Sequence, residues 1–121
     1  MDQAIVIDDN RNTADALAEM LKMLGIDARL AYGSSPAMAL LAEHTPLLIL
    51  LDVNMPGVDG LEILAYLRRE PRLMKVPAII ITSDDQPETK RRALDGGAQA
   101  MIIKPVSLIQ LESALKEAGV L

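Results

Sequence analysis

Four short runs of apolar residues each end in a polar or charged residue, and this pattern constrains the fold more than any other feature. The runs are Ala4 to Ile7 before Asp8, Leu47 to Leu51 before Asp52, Ala78 to Ile81 before Thr82, and Ala100 to Ile103 before Lys104. Continuous apolar runs of this length are typical of parallel strands that are covered on both faces. A weaker run, Ala28 to Tyr32, is predicted to supply a fifth strand.

Segments with helical periodicity separate these runs. Five helices are predicted, and the first carries Ala14, Leu17, Leu21 and Leu24 on one face before it ends at Gly25. The second opens at Ser35-Pro36, the third runs from about Gly60 to Arg69, and the fourth runs from about Pro87 to Leu94. The fifth begins with a capping box at Ser107 to Gln110 and stops at Gly119. The inward-facing residues are expected to include Leu61, Leu64 and Ala65 in the third helix and Leu108, Leu111 and Leu115 in the fifth.

Strand and helix thus alternate five times, which predicts an α/β fold with a doubly wound parallel sheet of five strands. Right-handed crossovers would place helices on both faces of this sheet. A chain of 121 residues, half of them apolar, is close to the usual size of one domain, so residues 1–121 are predicted to form a single domain.

The composition excludes several classes of function. A net charge of -5 argues against direct nucleic-acid binding, which needs a clustered excess of lysine and arginine. The chain has no cysteine, so neither disulfides nor thiol catalysis are available to it. The start of the chain lacks the pattern of a signal peptide, and no apolar run approaches the roughly 18 residues of a membrane span. We therefore expect a soluble protein of the cytoplasm that does not bind membranes.

The polar residues that end the runs predict a phosphoryl-transfer site. Ligands of open parallel sheets bind at the carboxyl ends of the strands, where Asp8, Asp9, Asp52, Thr82 and Lys104 are expected to meet. Three carboxylates in one cleft repel one another, and an all-oxygen site of this kind favours Mg²⁺ or Mn²⁺. Asp52 would attack phosphorus as a nucleophile, while Lys104 neutralises a phosphoryl oxygen and the Thr82 hydroxyl donates to another.

Taken together, these motifs resemble the receiver domains of two-component response regulators over nearly the whole chain. The matching segments are Ile7-Asp8-Asp9, Asp52 to Gly57 with Asp59-Gly60, Thr82-Ser83, Gly97-Ala98 and Lys104-Pro105. The resemblance implies a flavodoxin-like fold with the strand order 2-1-3-4-5.

By this resemblance, Asp52 is the phosphoacceptor, and Thr82 and Lys104 contact the phosphoryl group. The metal is Mg²⁺ or Mn²⁺, with Asp9 and Asp52 as direct ligands, Asp8 acting through a bound water, and Asn54 supplying its backbone carbonyl. A cis peptide bond between Lys104 and Pro105 is also implied.

The resemblance also implies the partners. Asp52 would receive its phosphoryl group from a histidine kinase or a phosphotransfer protein, without turnover of an external substrate. A downstream target or an attached output domain would read the change. The surface formed by the fourth helix, fifth strand and fifth helix is a further candidate for homodimer contacts.

Two features bear on the signalling behaviour. Met101 stands where many receivers carry a tyrosine or phenylalanine, so it either weakens signal coupling from Thr82 to the last strand or only fills core volume. Asn54 and Asp84 are expected to border the path of hydrolytic water, which predicts a short-lived phosphoryl state.

Other interpretations remain open at this point. A pseudo-receiver would keep the fold as a protein-binding module without being phosphorylated. An aspartate-nucleophile phosphohydrolase would usually carry a second aspartate two residues after Asp52, where this chain has Asn54. The single histidine, His44, is predicted to be a solvent residue at a helix end. The charged residues around Arg91 would be either a partner surface or a solvated face.

Overall fold

The computed structural model of the protein describes residues 3–121. The strands are β1 (Ala4–Ile7), β2 (Ala28–Ala31), β3 (Leu48–Leu51), β4 (Ala78–Thr82) and β5 (Ala100–Ile103). The helices are α1 (Arg11–Met23), α2 (Ser34–Glu43), α3 (Gly60–Arg69), α4 (Pro87–Asp95) and α5 (Leu108–Glu117). Within residues 3–121, no helix combines the length and apolar character that a membrane crossing requires.

All five strands are parallel and lie in the order β2-β1-β3-β4-β5, which confirms the predicted fold. β1 is flanked by β2 and β3, with Ile7 opposite both Ala31 and Leu51. The order of the strands reverses between β1 and β3. Their carboxyl ends therefore form the type of crevice in which doubly wound sheets bind ligands.

Two apolar clusters cover the sheet, one on each face. Ile49 and Leu51 of β3 belong to the cluster beneath α2, α3 and α4. Leu48 and Leu50 belong to the opposite cluster, beneath α1 and α5. Successive side chains of a strand point to opposite faces, and both faces here are buried, which explains why the strand sequences are continuously apolar.

The start of α2 differs from the prediction. The helix begins at Ser34, and the capping position is Gly33 rather than Ser35. The Gly33 carbonyl accepts the first intrahelical hydrogen bond, from the Ala37 N–H at 3.2 Å. Pro36 therefore lies inside the first turn, where a residue without an N–H group loses no helical hydrogen bond.

Two predictions about inward-facing residues were wrong. In α3, Ala65 is exposed, and the buried stripe is formed by Ile63, Leu64 and Leu67. Ala65 follows Leu64 in the sequence, and the helical rotation of about 100° per residue turns it out of this stripe and away from the sheet. In α5, Leu108 is the first helical residue and is exposed, because the stripe formed by Leu111, Ala114 and Leu115 starts almost one turn later.

Candidate functional site

The structure brings the predicted site residues together at the carboxyl edge of the sheet. Asp8 and Asp52 follow β1 and β3, Thr82 is the last residue of β4, and Lys104 follows β5. Thr82 is 0% exposed, Asp8 is 1% exposed and Asp52 is 5% exposed, whereas Asp9 lies on the surface. The edge thus combines buried polar groups with an acidic residue that faces solvent.

Lys104 joins the two buried carboxylates. Its Nζ donates to Oδ2 of Asp8 at 2.8 Å and to Oδ2 of Asp52 at 3.3 Å. The other oxygen of each carboxylate accepts a backbone N–H, from Asn10 at 2.9 Å for Asp8 and from Asn54 at 3.4 Å for Asp52. The lysine therefore holds an arrangement of two buried acids that would otherwise repel each other.

The electrostatics of the site follow from this arrangement. Burial and the neighbouring Asp8 raise the pKa of Asp52, and Lys104 only partly offsets them. For Lys104, burial lowers the pKa, but the hydrogen bond to Asp8 and the charge of Asp52 outweigh burial, so that its pKa is raised. The lysine is therefore charged at neutral pH, and Asp52 is harder to ionise than an aspartate in water.

The donor set fits a hard divalent cation. Carboxylate oxygens of Asp8, Asp9 and Asp52 all lie within 4.8 Å of one another. Oxygen ligands with this density of negative charge suit Mg²⁺ or Mn²⁺ better than softer metals. A bound cation would also relieve the repulsion that raises the pKa of Asp52.

A close packing contact fixes the turn after β3. The Gly60 N–H donates to the Val53 carbonyl at 2.9 Å, and a Cβ placed on Gly60 would lie 2.0 Å from the Asp52 carbonyl oxygen. Asp59 caps α3 by accepting the Glu62 N–H at 2.9 Å. The start of α3 therefore rests on the backbone of Asp52, and only glycine fits at this point.

Lys104 is held by the neighbouring strand as well as by its ion pairs. Its backbone N–H donates to the Thr82 carbonyl at 2.9 Å, which extends the β4–β5 ladder by one bond. The peptide bond between Lys104 and Pro105 is cis, as the family resemblance implies. Lys104 directly follows β5, and its hydrogen bond to β4 fixes the position of its backbone.

The loop after β4 contains a hydrogen-bonded network that sequence reasoning missed. The Asp84 N–H donates to the Thr82 hydroxyl oxygen at 3.2 Å. The carboxylate of Asp84 accepts the Gln86 N–H at 3.0 Å and the Thr89 hydroxyl at 2.7 Å. Nothing in the residue pattern had singled out Thr89, since threonine in the first turn of a helix is common.

Two other residues from the sequence prediction lie away from the acidic cluster. Met101 is half-buried and packs against the apolar cluster beneath α2, α3 and α4. His44 ends α2 just before β3 begins, which places it at the opposite, amino-terminal edge of the sheet. Its carbonyl accepts a hydrogen bond from Arg72 at 2.8 Å.

Comparison with known protein families identifies the chain. The family model of the response regulator receiver domain matches residues 4–116. The chain belongs to this family. Receiver domains are signalling modules, and the acidic cluster with its lysine lies within the matched region.

Solved structures support the same fold. The receiver is similar to the signal receiver domain of a signal transduction histidine kinase from Syntrophus aciditrophicus, with 28% identity, a TM-score of 0.86, and coverage of 98% of this chain and 89% of that one. It is similar to the signal receiver domain of a DNA-binding response regulator from Colwellia psychrerythraea 34H, with 26% identity, a TM-score of 0.89 and 97% coverage of both chains. The chemotaxis protein CheY4 of Vibrio cholerae shares the fold at 24% identity, with a TM-score of 0.89 and 98% coverage of both chains.

This receiver domain exposes apolar side chains on three consecutive elements, α4, β5 and α5. Leu94 of α4, Ile103 of β5 and Ile109 of α5 are exposed, and Ile109 reaches 80%. Ile103 and Ile109 line a groove between β5 and α5 with a volume of about 530 Å³. We call the exposed residues of these three elements the α4-β5-α5 surface.

Proposed function

We propose that this receiver domain accepts a phosphoryl group on Asp52 from a histidine kinase or a phosphotransfer protein, with Mg²⁺ or Mn²⁺ as cofactor. The observation that carries the proposal is the position of Lys104, whose ammonium lies 3.3 Å from the Asp52 carboxylate at the edge of an acidic cluster. A carboxylate beside a fixed cation is suited to nucleophilic attack on a phosphoryl group.

In the proposed reaction, an oxygen of Asp52 forms a bond to phosphorus while the bond from phosphorus to the partner's histidine nitrogen breaks. The electron pair of that bond stays with the imidazole, which leaves. Lys104 neutralises charge on a phosphoryl oxygen, and the Thr82 hydroxyl donates a hydrogen bond to another. The product is an aspartyl phosphate.

A divalent cation would neutralise charge on the phosphoryl oxygens when bound. Asp9 and Asp52 would hold it directly, Asp8 through a water molecule, and Asn54 through its backbone carbonyl. The oxygen-only donor set formed by Asp8, Asp9 and Asp52 supports a divalent cation at this edge.

The α4-β5-α5 surface is the proposed output surface. Its exposed apolar residues support contact with a downstream target, an attached output domain or a second copy of the chain. We further propose that residues 1–121 act as one domain without turnover of an external substrate. The acidic, cysteine-free sequence supports action in the cytoplasm.

Intact mass measured after incubation with acetyl phosphate tests the proposal. We expect a gain of one phosphoryl group that requires Mg²⁺ and is absent in Asp52→Ala. The exposed Asp85 offers a matched control, because Asp85→Ala removes a carboxylate near the site and should leave labelling intact. Circular dichroism would verify that both variants are folded.

Two other outcomes would overturn the proposal. If the wild-type chain gains no mass where a control receiver is labelled, the domain is a protein-binding module that is not phosphorylated. If it hydrolyses phosphoesters over many turnovers, it is a phosphohydrolase.

A further inference from the structure

The Thr82 hydroxyl is held in one orientation by the loop that follows it. Its side chain is buried, and its oxygen accepts the Asp84 N–H at 3.2 Å. A hydroxyl oxygen that accepts a backbone N–H keeps its own proton available for donation. The position of the Asp84 backbone therefore limits the directions in which Thr82 donates a hydrogen bond.

Asp84 is in turn bonded to the start of α4. One carboxylate oxygen accepts the Gln86 N–H at 3.0 Å, and the other accepts the Thr89 hydroxyl at 2.7 Å. These two hydrogen bonds, the one from Thr89 first, lower the pKa of Asp84, so the carboxylate is ionised at neutral pH. Thr89 is buried in the first turn of α4.

The strand pattern places Thr82 on the same side of the sheet as α4. Ala78 and Ile80 alternate with Thr82 along β4, and both belong to the apolar cluster that contains Ala93 of α4. A continuous set of hydrogen bonds therefore runs from the carboxyl edge of the sheet, through Asp84, to Thr89.

We propose that Asp84 is a positioning residue, which orients the Thr82 hydroxyl through its N–H and couples that hydroxyl to α4 through Thr89. This proposal rests on the proposed phosphorylation of Asp52, because Thr82 would change its hydrogen bonding when a phosphoryl group is present. The change then reaches the first turn of α4, the helix that carries Leu94 of the α4-β5-α5 surface.

This role differs from the water-orienting role expected from the sequence. Both oxygens of the Asp84 carboxylate accept hydrogen bonds from the start of α4, which fixes the side chain against that helix. The route also needs no aromatic ring at position 101, where this chain has a methionine.

Amide hydrogen exchange of the unphosphorylated protein tests the coupling directly. Thr89→Val keeps the side-chain shape but removes the hydroxyl donor, whereas Thr89→Ser keeps the donor. Thr89→Val removes the hydrogen bond from the Thr89 hydroxyl to the Asp84 carboxylate, which should loosen the loop and speed exchange of the Asp84 amide about fivefold. Thr89→Ser and the control Asp85→Asn should exchange at the wild-type rate.

An unchanged Asp84 exchange rate in Thr89→Val would overturn the proposal. A urea midpoint measured for each variant separates local from global opening, since global destabilisation would speed exchange throughout the sheet. An equal increase at β3 and at Asp84 would therefore also count against a local link.

The response of α4 is measured by adding beryllofluoride, a phosphoryl mimic, with Mg²⁺. We expect the amide chemical-shift changes across residues 88–95 to fall by about half or more in Thr89→Val, and Thr89→Ser to restore them. Equal changes in all three proteins would show that Asp84 does not transmit the signal. If wild-type Asp52 takes up no phosphoryl group, the proposed function fails, whereas the exchange rates still decide whether Asp84 links Thr82 to Thr89.

Discussion

The ammonium of Lys104 lies 2.8 Å from the Asp8 carboxylate, although 96 positions separate the two residues in the sequence. The side chain of Asp8 is 1% exposed and that of Lys104 is 19% exposed, so the pair is largely shielded from water. The lysine also contacts Asp52, so its removal leaves two buried carboxylates without a cation.

Lys104→Met should therefore destabilise the metal-free protein. We expect the free energy of unfolding to fall by about 2 kcal/mol, as is usual for hydrogen bonds to charged groups. Urea unfolding in EDTA measures this loss. Mg²⁺ should reduce the deficit, because a cation replaces part of the lost positive charge. The exposed Lys75 provides a control, since Lys75→Met should change stability little.

The acidic cluster predicts that Asp52→Asn stabilises the metal-free protein but reduces the stability gained from Mg²⁺. In EDTA the variant should be more stable than the wild type, because one of three close carboxylates is gone. With Mg²⁺ at about 100 times its dissociation constant, the wild type should gain about 2.7 kcal/mol and the variant much less. Urea unfolding under both conditions gives the comparison, and equal gains would mean that Asp52 is no metal ligand.

Replacing Gly60 by alanine should cause a steric clash, and the same replacement at Gly25 separates this clash from the effect of backbone strain. A Cβ at Gly60 would lie 2.0 Å from the Asp52 carbonyl oxygen, so Gly60→Ala must displace α3 or the end of β3. We expect a loss of about 3 kcal/mol in the free energy of unfolding and slower phosphoryl uptake. Gly25 has a φ of +84° but nothing within 4 Å of an added Cβ.

Gly25→Ala therefore measures backbone strain alone, which should cost about 1 kcal/mol. It should leave the rate of phosphoryl uptake unchanged, since Gly25 follows α1 at the edge of the sheet opposite to Asp52. Equal losses of stability and rate in the two variants would argue against a specific contact between Gly60 and Asp52.

The general position of the site follows from the sequence because the fold is a parallel sheet. Continuous apolar runs require strands that are buried on both faces, and parallel strands bring their carboxyl ends to one edge. The convergence of Asp8, Asp52 and Lys104 then depends only on topology and not on side-chain detail. For this reason it was predictable from four short runs.

Other contacts depend on side-chain geometry that periodicity does not encode. Ala65 was placed inside because alanine fits either face of a helix, and only the packing of Ile63 and Leu67 decides the rotation. The bond between Thr89 and Asp84 requires a particular loop conformation before α4. Sequence spacing therefore predicts which edge of the sheet holds the site, but it does not predict the hydrogen bonds of Asp84 in the loop after β4.

The lowered pKa of Asp84 predicts how stability depends on pH. Its ordinary value is 3.8, and the hydrogen bonds from Thr89 and Gln86 lower it in the folded state. Between the lowered value and 3.8 the unfolded chain binds more protons, so stability rises with pH across this window. The contribution is complete above 3.8 and is lost as the pH falls through the lowered value.

Asp84→Asn should remove this dependence. The difference in unfolding free energy between the wild type and Asp84→Asn should be constant near neutral pH and should shrink in acid. Urea titrations from neutral pH to below 3.8 measure it. A difference that stays constant into acid would show that the carboxylate of Asp84 is not stabilised by α4.

Arg68 and Arg69 are neighbours in α3, but their replacement is expected to change stability by very different amounts. The Arg68 guanidinium donates to the Gly97 carbonyl at 2.8 Å and to the Val76 carbonyl at 2.9 Å, and thus ties the end of α3 to the turns before β4 and β5. Burial lowers the pKa of Arg68 from its ordinary value, but an arginine stays charged at any pH at which the protein folds.

Arg68→Met should leave these carbonyls without their donor and lower the free energy of unfolding by about 2–3 kcal/mol. Arg68→Lys should recover only part of this loss, because a single ammonium does not reproduce the forked donors of a guanidinium. Arg69→Met, on the exposed side of the same helix, should change stability by less than about 0.5 kcal/mol. Comparable losses at the two positions would indicate a general effect of charge in α3, because the bonds to Gly97 and Val76 are made by Arg68 alone.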